Sequence, residues 1–447
     1  MLSAPAGQSG KAEPDYAFEM AASNIRFGPG VTQEVGYDFK HLGVKRVAVF
    51  TDKTLLSMAP VAKALKALDS QGIKYDIYSD VIVEPKDYGV EDAIAWARKL
   101  QPEAYLAVGG GSVMDTAKLA NLLQIYESNQ LLDFVNAPIG KALPINRKLK
   151  PLIAIPTTAG TGSETTGTAI FDLPKIKAKV GVSSRALRPL LGIVDPENSA
   201  LMPASIKASS GLDVLCHSLE SYTAIPYNER TPRPSDPILR PAYQGANPIS
   251  DVFSLQALRM VAEYLPRSVK DPEDTEAQHQ TLLAASLAGV GFGNAGVHLC
   301  HGLSYPISSQ NKGYTHEGYE KVGHPIIPHG VSVAVTAPAV FKFTAPSCPE
   351  RHLEAAGILG ANITNAKLES AGDILKETLQ DFLYNKLGSA QPRGIKDLGF
   401  GSGDIESLVS GALPQRRVMT LEKSIHFASQ DEIAKELGGI LEETLSF

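Results

Sequence analysis

The chain has 447 residues with a formal net charge of −6, 43% apolar residues and 20% charged ones. That is the profile of a globular protein of two or three domains with ample core. No basic block marks a nucleic-acid or anionic-membrane partner, and no apolar run approaches the ~18 residues that a bilayer span needs.

Three cysteines, Cys216, Cys300 and Cys348, do not make a disulfide framework, so a reducing, intracellular compartment is expected. Residues 1–15 are small and polar, without the apolar centre of a secretory signal or the arginines of a clear organelle presequence. They are expected to be disordered.

From residue 46 to 195, short apolar strands alternate with helical patterns. Strands are expected at 46–50, 74–81, 104–108, 151–156 and 191–195, with helices at 59–70, 90–100 and 113–124. This alternation predicts a parallel sheet covered by helices on both faces. After Pro203 the pattern turns helical, over 204–224, 250–265, 275–291, 295–305, 330–344, 350–359 and 366–385. A domain boundary near 200 follows, giving an α/β unit over 16–199 and an all-α unit over 200–447. The Pro- and Arg-rich stretch 226–248 is expected to be a long ordered loop.

Two Gly/Thr turns end strands in the first half. In AYLAVGGGSVMDTAKLAN (104–121), Gly109, Gly110 and Gly111 permit a tight turn, and Ser112 is a candidate N-cap. Free amides there can hold a phosphate, and Asp115 suits a first helical turn. PLIAIPTTAGTGSETT (151–166) adds the hydroxyls of Thr157, Thr158, Thr161 and Ser163. Two such loops at strand ends point to a dinucleotide in a Rossmann-like crevice. Asp52, ending VFTDK, is either a ribose-binding carboxylate that favours NAD over NADP, or a helix N-cap. Lys179 is either a surface lysine or a contact to ribose or phosphate.

The second half carries a different chemistry. In GLDVLCHSLE (211–220), Asp213 and His217 are four apart and share a helix face. NAGVHLCHGLSY supplies His298 and His301, and HPIIPHG supplies His324 and His329. One aspartate and three histidines would make a dry divalent-metal site of mixed N/O ligands. From the residues alone His298 and His301 both qualify, and His329, between Pro328 and Gly330, qualifies better than His324.

GGGSVMDTAK, PTTAGTGSE, GLDVLCHSLE, NAGVHLCH and PHG, in this order, resemble the iron-containing (group III) alcohol dehydrogenases. DYAFEMAASNIRFG, RPAYQGANPISD and GFGNAGVHLCHGLSYPIS bring the resemblance closest to the hydroxyacid-oxoacid transhydrogenase branch. The resemblance implies a metal site in the cleft between the two domains, with Asp213, His217, His301 and His329 as ligands of Fe2+, or alternatively Zn2+. It implies NAD bound near Asp52, the Gly109–Ser112 turn, Thr157, Thr158 and Lys179, and it places His298 either behind the ligands or in the substrate pocket. Tyr305 stands where many members have a further histidine, so the proton route is expected to differ.

The implied reaction passes hydride from a hydroxy acid to an oxo acid through the nicotinamide. An ordinary NAD-dependent alcohol dehydrogenase and, more distantly, a dehydroquinate-synthase-like lyase are the other activities of this architecture. Carboxylate substrates call for an arginine. Arg185, Arg188, Arg230, Arg233 and Arg240 are candidates, with Arg240 preferred. The resemblance also implies a homodimer and a mitochondrial location.

Overall fold

The computed structural model describes residues 13–388, 391–419, 421–426 and 428–445. Most of the segment expected to be disordered therefore lies outside the described residues. Glu13 and Asp15, at its end, are tied down: Asp15 is buried and paired with Arg240, and Glu13 pairs with Arg233.

The first half is built on strands β1 (Asn24–Phe27), β2 (Arg46–Phe50), β3 (Lys74–Tyr78), β4 (Ala104–Gly109), β5 (Leu152–Pro156), β6 (Thr168–Leu173), β7 (Ala178–Ser183) and β8 (Leu191–Val194). Six of them form one sheet in the order β1-β8-β5-β4-β2-β3, with every pairing parallel. Helices α1 (Val35–His41), α2 (Ala59–Ser70), α3 (Asp87–Leu100), α4 (Gly111–Ile125) and α5 (Leu131–Phe134) belong to this half.

Alternate residues of the central strands feed two different cores. Val47, Val49, Leu106 and Val108 pack with Val61, Ala64 and Leu68 of α2 on one face. Ala48, Phe50, Tyr105 and Ala107 pack with Ala93 and Ala97 of α3 and Ala117 of α4 on the other. Two buried faces require strands that are apolar throughout, as these are.

Two features were not expected from the sequence. β1 adds an edge strand on β8. Between β5 and β8 the chain makes an antiparallel hairpin, β6–β7, which pairs Asp172 with Lys179 across its strands.

The second half is helical: α6 (Ala204–Thr223), α7 (Pro248–Lys270), α8 (Thr275–Ala295), α9 (Leu299–Ser309), α10 (His329–Ala334), α11 (Ala337–Thr344), α12 (Pro349–Ile358), α13 (Ala371–Asp381) and α14 (Ile405–Ala412). A last helix spans Gln430–Thr444. One contiguous apolar core serves them all. The single helix expected over 330–344 is two, α10 and α11, broken where Pro338 enters the first turn of α11. Among the described residues no single helix is long and apolar enough to cross a membrane.

The parallel strands run so that Asp52, Gly109 and Thr157 all emerge at one edge. Strand order reverses between β2 and β4, because β3 lies on one side of β2 and β4 on the other. Such a switch point opens a crevice at the carboxyl ends of the strands. Helices α6, α8, α9 and α10 face that edge across a cleft.

Candidate active site

α6 is buried on nearly every side from Lys207 onward. Its polar face holds Asp213, His217 and Glu220, which helical spacing stacks one above another. Asp213 Oδ1 lies at the centre of three imidazoles: His217 Nε2 at 3.4 Å, His301 Nε2 at 3.5 Å and His329 Nε2 at 3.8 Å. Ligand atoms of Asp213, His301 and His329 fall within 4.8 Å of one another. His217 joins this set through Asp213 and stacks on His301, with ring centroids 4.8 Å apart. Its other face lies flat on Phe292, at 3.7 Å and 9°.

Three different helices bring these rings together. His301 sits in the first turn of α9. His329 opens α10, which starts close against α6: a Cβ on Gly330 would stand 1.9 Å from the Ser209 carbonyl oxygen. Only glycine lets the two backbones approach that far.

Glu220 completes the arrangement, and the sequence reading assigned it no role. It is fully buried and accepts backbone N–H bonds from His298, Cys300 and His301 at the start of α9. It also binds His301 Nδ1. A ligating histidine held from behind by a carboxylate is the usual second layer of a metal site. The signal was available: an acid three residues after His217, inside an otherwise apolar helix.

With Nδ1 committed to Glu220, His301 Nε2 faces Asp213 Oδ1. Both atoms are buried and have no hydrogen-bond partner among the described residues. Burial opposes charge on His301, yet Glu220 and Asp213 outweigh it and push its pKa well above the usual range. Burial likewise opposes ionisation of Asp213, and the imidazoles, His217 foremost, overcome it and hold the carboxyl well below its normal pKa. Burial pushes His217 down to about 3 and also lowers His329. One carboxylate, mostly neutral imidazoles and a strong preference for positive charge at their centre are what a divalent N/O site requires. The residues therefore fit a metal ion.

His298 stands behind this set. Its Nε2 pairs with the Thr223 hydroxyl at 2.9 Å, its Nδ1 accepts the Leu299 N–H, and burial pushes it down to about 4. His324 lies apart, its Nδ1 against the Pro325 carbonyl.

The opposite wall of the cleft comes from the α/β half. Gly111, Ser112, Asp115, Thr161 and Lys179 line it, together with Glu84, Thr166 and Thr168. Tyr305 and Tyr243 enter from the helical side. A Cβ on Gly111 would sit 2.6 Å from Thr161 Cγ2, so the two glycine-rich turns interlock. Gly109 and Gly110 lead into this turn, and Gly110 packs on Thr158. Thr157 hydrogen-bonds through its N–H to the Gly109 carbonyl.

Several expectations for this wall need correction. Gly110, not Ser112, caps α4, because Ser112 already lies inside the helix, where its hydroxyl accepts the Glu84 N–H. Asp115 does not serve the helix terminus. It is buried, accepts from the Ser163 hydroxyl and the Ile170 N–H, and burial raises its pKa. Asp52 is not an N-cap, since Thr54 and Met58 hold those positions before the next two helices, but its Oδ1 closes a turn by accepting the N–H groups of Thr54 and Leu55.

Lys179 is not a surface residue. Its side chain is 3% exposed and bonds to Glu84, with Asp172 Oδ1 at 3.4 Å. Burial opposes its charge, but Asp172 and Glu84 raise its pKa and keep it protonated. The β6–β7 hairpin is what carries it inward. Glu84, from a loop with no sequence motif, was not foreseen. Arg240 does not line the cleft either; its Nε and Nη2 edge is taken by Asp15 at 3.0 Å.

A doubly wound sheet whose switch-point crevice faces a buried Asp/His cluster defines a metal-dependent oxidoreductase of the nicotinamide-using type. The chain belongs to the iron-containing alcohol dehydrogenase family: models of that family match residues 22–196, and models of its C-terminal domain match residues 242–435. It is 55% identical over 415 residues to a mitochondrial hydroxyacid-oxoacid transhydrogenase of Mus musculus, covering 93% of this chain and 88% of that one. Its identity to the Homo sapiens protein of the same name is 54% over 407 residues, 91% and 86% of the two chains. Among solved structures, a 1,3-propanediol oxidoreductase superposes with a TM-score of 0.80 at 26% identity, over 96% of this chain and all of that one.

Proposed function

We propose that this chain is a hydroxyacid-oxoacid transhydrogenase. It moves hydride from 4-hydroxybutyrate to 2-oxoglutarate through a retained NAD, giving succinate semialdehyde and 2-hydroxyglutarate. The observation that carries the chemistry is Asp213 Oδ1, ringed by three imidazole nitrogens at 3.4–3.8 Å in the same cleft as the glycine turn. High identity to the mouse and human transhydrogenases supports the substrate classes. Their mitochondrial designation supports the same location here, and a homodimer is proposed on family grounds.

In this reading residues 16–199 hold the nucleotide and residues 200–447 hold the cation. Asp213, His217, His301 and His329 are the ligands, with iron the expected ion and zinc the alternative. When bound, the cation would supply Lewis acidity at the substrate oxygen and the nicotinamide would supply reversible hydride acceptance.

The chain's own residues do the rest. Glu220 fixes the His301 ring so that Nε2 points inward. Phe292 and Val297 keep water from the reacting carbon. The turn Gly109, Gly110, Gly111 and Ser112 receives the pyrophosphate at the start of α4, with Asp115, Thr157, Thr158 and Thr161 shaping its floor. Asp52 keeps Oδ2 for ribose while Oδ1 holds the turn at Thr54 and Leu55. Tyr305, which lines the cleft beside Lys179, relays the hydroxyl proton, accepting it on the phenol oxygen while its own O–H proton passes to solvent, and the reverse on reduction.

The test needs no added nucleotide. Purified enzyme is mixed anaerobically with 4-hydroxybutyrate deuterated at C4 and with 2-oxoglutarate. Deuterium is expected at C2 of 2-hydroxyglutarate. Exchange that occurs only with added NAD, with NADH accumulating, would overturn the proposal in favour of a simple dehydrogenase.

A further inference from the structure

The proposed substrates carry a carboxylate that the cleft lining does not match. Apart from imidazoles, Lys179 is the one cation among the described lining residues, and Glu84 and Asp172 already hold it. The next layer outward differs. A single 3-10 turn at Arg185–Leu187 follows β7, and Ser184 N–H bonds to the Gly167 carbonyl. Gly167 separates Thr166 from Thr168, both of which line the cleft. A Cβ on Gly167 would stand 3.3 Å from Arg185 Cα, so the turn lies directly behind that wall.

Arg188, one residue past the turn, is anchored through one edge of its guanidinium. Nε donates to the Thr165 carbonyl at 3.3 Å, and Nη2 donates to the Gly293 carbonyl at 2.8 Å and to Asn294 Oδ1 at 3.2 Å. Thr165 and Gly293 adjoin the lining residues Thr166 and Phe292. Its Nη1 is buried with no partner among the described residues. Arg185 gives Nη1 to Glu19 at 2.7 Å, whereas its Nε and Nη2, the edge that grips a carboxylate side-on, are buried with no such partner. Burial, with the neighbouring Arg185 charge as the next cause, pushes Arg188 down to about 10; the cleft residue Tyr243 feels the same charge.

Two adjacent guanidiniums with three buried, unused N–H positions are costly to leave unmatched. We infer that Arg185 and Arg188 form the receptor for the substrate's distal carboxylate, behind Thr166, Thr168 and Tyr243, and that they select hydroxy and oxo acids over uncharged alcohols. This inference rests on the transhydrogenase reading for its substrates, but not on retention of the nucleotide.

The probe is glutarate, a dicarboxylate with no reacting group, titrated calorimetrically into wild-type, Arg188→Gln and Arg185→Gln holoenzyme. Each substitution is expected to weaken binding on the order of 30-fold, the share of one charge-assisted bond. The ratio of kcat/KM for 4-hydroxybutyrate to that for butan-1-ol, with NAD added, should fall similarly. That ratio does not depend on the fraction of enzyme that is folded. Glu19→Gln serves as the structural control, because it removes the charge that holds Arg185 Nη1 without altering Nε or Nη2 of Arg185 or any Arg188 contact.

Wild type that binds no glutarate, or variants within about threefold of wild type, would overturn the assignment. So would a loss in Glu19→Gln equal to that in Arg185→Gln. If the wild type exchanges no hydride without added NAD yet loses glutarate binding in both arginine variants, the receptor stands and only the transhydrogenase reading falls.

Discussion

At the scale of the residue, the site is decided by which atoms are already engaged. Glu220 accepts three backbone N–H groups and the Nδ1 of His301, so it cannot also be a ligand. Its work is orientation: it fixes the tautomer and tilt of the imidazole whose Nε2 meets Asp213. Glu220→Gln keeps the shape but removes the charge. It is expected to weaken metal affinity about 10- to 100-fold, read by competition with a chromogenic chelator. Affinity equal to wild type would mean that the Glu220 charge is irrelevant to the ion. Arg240 is likewise removed from the substrate's reach, since it does not line the cleft and Asp15 holds its Nε and Nη2.

Elements then set which residues meet. α6 offers Asp213 and His217, but His329 arrives only because α10 begins against the backbone of α6 at Ser209. Gly330→Ala would put a Cβ 1.9 Å from that carbonyl oxygen and 2.9 Å from the Asp213 nitrogen. Overpacking of this kind costs about 1–3 kcal/mol, and here it also moves His329 away from Asp213. A lowered melting temperature together with reduced metal content is expected. A variant that keeps full metal content would show that α10 has slack which the packing does not suggest. On the opposite wall, the β6–β7 hairpin is the element that turns Lys179 inward.

For the whole molecule, a metal held by the proposed ligands would tie α6, α9 and α10 into one unit against the sheet edge. Binding only to the native state stabilises it by mass action, about 4 kcal/mol at roughly 1,000 times Kd. Chelation is therefore expected to lower the melting temperature by several degrees, and Zn2+ or Fe2+ added back should restore it. An unchanged melting curve after verified metal loss would mean that the helical half is held by its apolar core alone.

Much of this was legible in the sequence, because it depends on short-range pattern. Continuous apolar runs between helical patterns mark buried parallel strands wherever they occur, and 46–50 and 59–70 needed nothing else. Asp213 and His217 were readable as a pair because helical spacing alone puts them on one face. The Pro328–Gly330 bracket likewise flagged His329, whereas His298 and His301 stayed equal candidates until the family resemblance chose between them. Other features depended on contacts between distant segments. β6, TAIFDL, does not alternate, and β7, AKVGVS, puts Lys179 on the face that alternation assigns to solvent, so the hairpin, and with it the inward turn of Lys179, shows only in three dimensions. Lys179 looks like any solvated lysine until Glu84, 95 positions away, is placed beside it. The choice among five arginines was likewise open to sequence, since each has the same chemistry. Partners and position separate them, and those are properties of the packed chain: Arg240 pairs with Asp15 and Arg233 with Glu13, Arg185, Arg188 and Arg230 each keep a buried N–H with no described partner, and Arg185 and Arg188 adjoin the residues that line the cleft.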